Sequence, residues 1–174
     1  MDRFKRLMLL VGIIFLTVCI VGFAFPNEPD GFRGLKWGDA PTEDMYFVYE
    51  IISEYMDNAK IYAKYRENNN IGSAKLISLE YCFNLRSNQF YKVTANFSKD
   101  KYFEVLEIIF KDRFGEPTKK EKDFLLWNSE KTRVYLLGLK GNLAKLEFRS
   151  WEIKPEEPPE IDKIAEIEKA KADF

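Results

Sequence analysis

Histidine does not occur among the 174 residues, and cysteine occurs only twice, at Cys19 and Cys82. Without an imidazole there is no His-based general acid or base, no Ser-His-Asp or Cys-His arrangement, and no zinc site drawing on imidazole. Two cysteines cannot build a disulfide framework or a four-cysteine metal site. An excess of one charge is also missing: 27 Lys and Arg stand against 28 Asp and Glu, whereas a nucleic-acid footprint needs a clear basic surplus on one face. No glycine-rich phosphate loop is present, and no Asp/Asn-rich loop has the spacing of a calcium or magnesium site. No metal and no cofactor is therefore expected. What the chain has in quantity is core-forming material, 46% hydrophobic and 16% aromatic, enough for one packed domain at this length.

Leu7 to Phe25 is an uncharged apolar run of 19 residues, preceded by Arg3, Lys5 and Arg6. A secretory apolar region is usually about 7–15 residues and a spanning helix about 20, so length favours a membrane anchor. Gly22-Phe23-Ala24 favours a signal peptide, because small residues stand at the −3 and −1 positions of a cleavage site after Ala24. Both readings keep the basic end in the cytoplasm and send the rest of the chain across the inner membrane, to be periplasmic or anchored by residues 7–25. Lipidation at Cys19 is disfavoured, since Val18 is not small and Ile20 to Phe25 stay apolar. Removal of residues 1–24 leaves Cys82 as the one cysteine, read as a buried small apolar side chain. It also leaves 24 basic against 27 acidic residues, with the acidity concentrated from Glu152 onward, where 8 acidic face 4 basic.

Pro26 to Gly31 reads as a polar linker into a domain over 32–151. Met45 to Met56 carries a helical stripe of Met45, Val48, Tyr49, Ile52, Tyr55 and Met56, so periodicity taken alone favours helix, while its β-branched and aromatic content favours strand. Leu76–Leu85 alternates, with Ile77, Leu79, Tyr81, Phe83 and Leu85 inward. Gln89–Phe97 alternates after the Arg86-Ser87-Asn88 turn, with Tyr91, Val93, Ala95 and Phe97 inward, which predicts a hairpin. Asp100–Phe114 carries Tyr102, Phe103, Leu106, Ile109 and Phe110 at helical spacing, with Ser98 to Asp100 as its cap and Gly115 and Pro117 as its stop. Beyond a basic turn at Lys119–Lys122, strands are expected at Phe124–Trp127, Thr132–Leu139 and Leu143–Trp151. Short links make neighbouring strands antiparallel. The predicted fold is α+β: an antiparallel sheet of about six to seven strands with one main helix on one face, plus an N-terminal apolar helix and a C-terminal charged helix. Residues 152–174 form an acidic Pro/Glu linker and that short terminal helix.

Taken in order, Phe32-Arg33-Gly34-Leu35-Lys36-Trp37-Gly38, Lys60-Ile61-Tyr62, Ile71 to Leu76, Glu80 to Phe83, Gln89 to Val93, Phe114 to Pro117 and Trp127 resemble an uncharacterised family of small exported bacterial proteins. Its members begin, after a signal, with F-R-G-[IL]-K-W-G. The resemblance implies strand at Met45–Glu50 and at about Ala59–Tyr65, and an exported location. It carries no catalytic or ligand residue.

Candidate chemistry is sparse. Ser98-Lys99-Asp100-Lys101 matches the S-x-x-K of penicillin-binding enzymes, but the companion motifs are missing. Glu104 with Glu107, or Glu43 with Asp44, could pair as glycosidase carboxylates, though solvated surface positions account for them as well. Trp37, Trp127 and Trp151 are expected in the core. The second sheet face, with Ser78, Glu80, Lys92, Thr94, Asn96, Lys145, Glu147 and Arg149, is the candidate binding face, because a sheet covered by one helix can leave its other face in water. The expected function is a non-enzymatic protein-binding or scaffold module whose sheet face or edge strand meets another envelope protein. A hydrolase inhibitor acting through Ile71–Ala74 or Lys119–Lys122 is the alternative, and a His-independent hydrolase a weaker one.

Overall fold

The computed structural model describes residues 25–52 and 57–153; the expected N-terminal and C-terminal helices lie outside them. A small hairpin of β1 (Gly31–Phe32) and β2 (Leu35–Lys36) precedes a nine-stranded antiparallel sheet. Its strands are β3 (Met45–Ile51), β4 (Ala59–Lys64), β5 (Asn70–Ile71), β6 (Ala74–Asn84), β7 (Phe90–Ser98), β8 (Lys119–Glu121), β9 (Phe124–Asn128), β10 (Thr132–Gly138) and β11 (Leu143–Ser150). They run in the order β3-β4-β6-β7-β11-β10-β9-β8, with β5 folded onto β6. The helix α1 (Lys99–Phe114) links β7 to β8 and covers one face. The α+β class and the antiparallel sheet are thus as expected. The strand count exceeds expectation, because Lys119–Glu121 folds back on Phe124–Leu126 as a strand, and Asn70–Ile71 pairs with Ala74–Lys75. Met45–Ile51 is strand, so the helix that periodicity favours does not form over the described part of this stretch, and the β-branched and aromatic content prevails.

The core lies between α1 and the sheet. Phe103, Leu106, Phe110 and Phe114 recur at three- and four-residue spacing and are buried, facing Val93, Ala95, Trp127, Val134, Leu146 and Phe148. Phe110 and Phe114 meet Trp127 and Phe148 edge-on, with centroids 5.8–6.3 Å apart. Each such side chain contributes roughly 1.5–3 kcal/mol by leaving water. At the end of the helix Gly115, at φ 77, returns its N–H to the carbonyl of Lys111, a conformation that suits glycine. At its start Ser98 takes the N-cap position without a capping bond of its own. Asn142, from the β10–β11 turn, accepts from the Asp100 N–H at 2.8 Å and from the Ser98 hydroxyl. The cap is therefore supplied across the fold, by a side chain 42 residues away.

Three further expectations are corrected. Ile77 points outward, 66% exposed, because a bulge between Leu76 and Ser78 shifts the register and reverses the alternation. Trp151 lies past the end of β11 and is 42% exposed, while Trp127 is fully buried and Trp37 stacks on Phe90. Pro26 to Gly31, expected as a linker, is fastened to the domain: Trp37 Nε1 and the Thr132 hydroxyl both donate to the Pro29 carbonyl, and the Ser129 hydroxyl donates to Glu28. Phe25 packs against Phe114.

Candidate functional site

Strand register brings the eight residues of the expected binding face together. Ser78 pairs with Asn96 and Asn96 with Lys145; Glu80 pairs with Thr94 and Thr94 with Glu147; Lys92 pairs with Arg149. All eight occupy the face opposite α1, as the alternation requires. Most of their polar groups, however, are engaged, by one another or by residues beside the face. Asn96 donates to Ser78 at 2.8 Å, Lys145 meets Glu147 at 2.8 Å, and Tyr49 donates to Glu80. Glu147 is only 9% exposed.

The residue that organises this face is Asp57, which precedes β4. One carboxylate receives Lys92 at 3.0 Å and Arg149 at 3.1 Å. Burial works against its charged form, but Lys92 and Arg149 outweigh that and hold the Asp57 pKa below the ordinary value of 3.8. Burial also acts on Lys92, yet Cys82, Glu147 and Asp57 together raise its pKa. Beside the cluster Arg133 lies 3.5 Å over the Trp151 ring and Arg149 caps Tyr91 and Trp151 from farther off. Beneath it Ala59, Ile61, Cys82 and Tyr91 form a second small apolar cluster, closed by Ile51 and Ile153. The face is thus a cross-linked charge lattice over its own minor core.

Cys82 sits in that minor core, 2% exposed. Burial chiefly pushes its thiol up to about 12, so thiolate is scarce at neutral pH. Alkylation at Cys82, followed by peptide mass spectrometry, should be undetectable in the native protein and complete in denaturant. Labelling in the native state at the rate of a free thiol would show that the minor core opens.

A different surface is open. β3 ends the sheet, and among the described residues no strand pairs with its outer side. Tyr46, Phe47, Val48 and Tyr49 are 41–51% exposed in succession, and Ile52 follows at 67%. Four consecutive exposed apolar residues arise because a bulge between Phe47 and Tyr49 breaks the alternation against β4. Phe47 leans edge-on against Tyr62 toward the core side, while Tyr49 reaches Glu80 on the other face. Tyr46 stacks with Tyr65, itself 63% exposed. The opposite edge, β8, is three residues long, entirely charged, and ion-paired through Lys119–Glu121 and Lys120–Glu107. Short charged edges of that kind resist strand addition, whereas long apolar ones invite it.

A cleft of about 640 Å³ lies between the β1–β2 hairpin and α1, floored by Phe32, Leu35, Ile109 and Phe110. Its rim residue Arg33 is already spent on structure, since its guanidinium donates to Glu67 and to the carbonyls of Asn68 and Asn70. Those bonds also hold Arg33 at φ 51 beside Gly34 at φ 83, the left-handed pair that a two-residue hairpin turn requires. Glu67 in turn accepts from the buried Tyr81 hydroxyl, whose pKa burial and that bond both raise. The Phe32–Gly38 segment therefore reads as a structural fastener. Among the described residues no three Cys, Asp or Glu side chains converge as metal ligands, and no helix is long and apolar enough to cross a membrane.

Comparison of the chain with protein-family models, with curated proteins and with solved structures finds no match.

Asp57 and the Arg133–Trp151 stack were not singled out in the sequence, and an edge strand was expected as a binding element without β3 being identified as that edge. The one signal that could have found the edge is the unbroken Tyr46-Phe47-Val48-Tyr49 run, too apolar on both sides for a half-buried strand.

Proposed function

We propose that the chain is an exported cell-envelope protein that works, without catalysis, as a protein-binding or scaffold module. The observation that carries this reading is the β3 edge: a seven-residue strand with open backbone groups and exposed aromatic side chains, on a sheet whose other edge is blocked. Strand addition at such an edge supplies main-chain hydrogen bonds for affinity and side-chain contacts for selectivity. The basic-then-apolar N-terminus and the family resemblance support an exported location, and the absence of histidine from the chain supports binding over catalysis. The inhibitor reading draws less support. Gly72 abuts Ile109, and Lys119 and Lys120 are ion-paired, so neither expected loop projects freely.

A photo-reactive amino acid placed at Phe47 in the full chain, activated in intact cells, tests the proposal. A covalent adduct with a protein is expected at Phe47 and not at Lys119 on the blocked edge. No adduct at Phe47 would overturn the reading.

A further inference from the structure

We infer that a gap within the sheet, where β4 has left β6 and β5 has not yet joined it, binds a short zwitterionic peptide in extended form. The site is distinct from the outer side of β3 and does not depend on the role proposed for that edge. β4 pairs with β6 only as far as Tyr62 opposite Tyr81, and β5 takes up the same strand at Lys75 and Ala74. Between them Ser78–Glu80 pair with β7 on one side, while among the described residues no strand pairs with the other. Main-chain groups of a strand point alternately to its two neighbours. Asn84 turns its N–H and carbonyl to the β6–β7 turn, bonded to Gln89 and Asn88, so Phe83, Tyr81 and Leu79 turn theirs the opposite way. Phe83 and Tyr81 meet Lys60 and Tyr62 of β4 there, and Leu79, next in the series, meets no strand. Its N–H and carbonyl make an open rung of an antiparallel ladder, and what completes both halves of a rung is another peptide unit.

The gap opens into a cavity of about 410 Å³ walled by Tyr46, Val48 and Ala63, with Glu80 and Arg66 also lining it. Glu80 stands one residue beyond the last β4–β6 pair, at the closed end, and Arg66 four residues beyond it on the other arm. Neither is ion-paired among the described residues: Glu80 accepts from the Tyr49 hydroxyl at 3.3 Å, and Arg66 has no polar partner. An extended tripeptide is about 10 Å long. With its middle residue on Leu79 and its chain antiparallel to β6, its ammonium lies toward Glu80 and its carboxylate toward Arg66, so both charges gain a partner.

Calorimetric titration of the full-length protein with trialanine, in mild detergent if the membrane fraction holds it, is the test. A dissociation constant of about 1 mM or tighter is expected. N-acetyl-trialanine amide, which keeps the peptide groups and lacks both charges, should bind about tenfold more weakly. Glu80→Gln and Arg66→Gln should each weaken trialanine about fivefold, toward the affinity of the blocked peptide. Circular dichroism identifies a variant that fails to fold. Independently of any variant, hydrogen exchange at the Leu79 amide of the wild type should slow as trialanine is added, while the Lys119–Glu121 amides stay unchanged. No binding at about 10 mM trialanine, a blocked peptide that binds as tightly as trialanine, variants that bind like the wild type, or a Leu79 amide indifferent to the peptide would each overturn the inference. Free alanine binding as tightly as trialanine would give the two charges to an amino acid and reject the peptide. None of these outcomes bears on the Phe47 cross-link, which tests the β3 edge alone.

Discussion

Trp127→Ala should cost about 4 kcal/mol of stability, the range seen when a fully buried large aromatic is truncated. Trp127 is inaccessible to solvent and touches Phe110 and Phe114. It joins the last turn of α1 to the sheet, and its Nε1 donates to the Gly115 carbonyl at 2.7 Å. Truncation removes the packing and leaves that carbonyl, at the helix end, without its donor. For a domain of this size the melting temperature should fall by roughly 15 °C. Trp127→Phe keeps most of the bulk and loses the hydrogen bond, and should cost about 1–2 kcal/mol. Chemical denaturation of the two variants checks both figures. Equal losses would mean that the hydrogen bond, not the packing, carries the effect.

Removing the acid at Asp57 is the second large effect. Asp57→Ala leaves Lys92 and Arg149 as neighbours on adjacent strands with no carboxylate between them. Their side chains are 14% and 17% exposed, so solvent screens the repulsion only in part. A loss of about 2 kcal/mol at neutral pH is expected after allowing for that screening. The pH dependence has a definite sign. Asp57 has a folded pKa below its ordinary 3.8, so its contribution is complete above that value and is lost as the pH falls through the lower folded pKa. The stability gap between wild type and Asp57→Asn should therefore be open at neutral pH and close in acid, as the pH falls past 3.8 and through the lowered folded pKa. Urea unfolding at both pH values measures it, and a gap of equal size at each would remove Asp57 from the cluster's energetics.

The parts of the fold that could be read from sequence are those where one local rule acts alone. From Lys92 to Ser98 β7 alternates regularly, and Val93, Ala95 and Phe97 face the main core as expected, but a bulge opposite Cys82 and Phe83 turns Tyr91, expected on that side, into the minor core and puts Phe90 in its place. α1 carries its stripe and its glycine stop in adjacent residues. Where a bulge intervenes the rule inverts, and nothing in Leu76-Ile77-Ser78 announces that Ile77 faces water. The eight-residue face was placed on one side by alternation, but its character was hidden. Asp57 lies 35 residues from Lys92 and 92 from Arg149, and local patterning does not report ion pairs across such distances. The cap of α1 was missed for the same reason: Ser98 satisfies the sequence preference, while Asn142 makes the bond. The resemblance motif was legible as a motif, but its physical content, a left-handed turn held by Arg33, depends on acceptors 34 to 37 residues away that the motif does not contain.

The sheet order has a kinetic consequence. Reading β3-β4-β6-β7 and then β11-β10-β9-β8, every neighbour is close in the chain except at one seam, where residues 92–98 of β7 meet 143–149 of β11. Each half can zip from its own turns, paying loop-closure entropy in small instalments, while the seam must close a loop of about 45 residues or more at once. α1 lies within that loop and packs on strands of both halves. The barrier to folding should therefore sit at the docking of two pre-formed meanders through the helix, with Leu106 and Phe110 at the junction and the outer strands β3 and β8 joining after it.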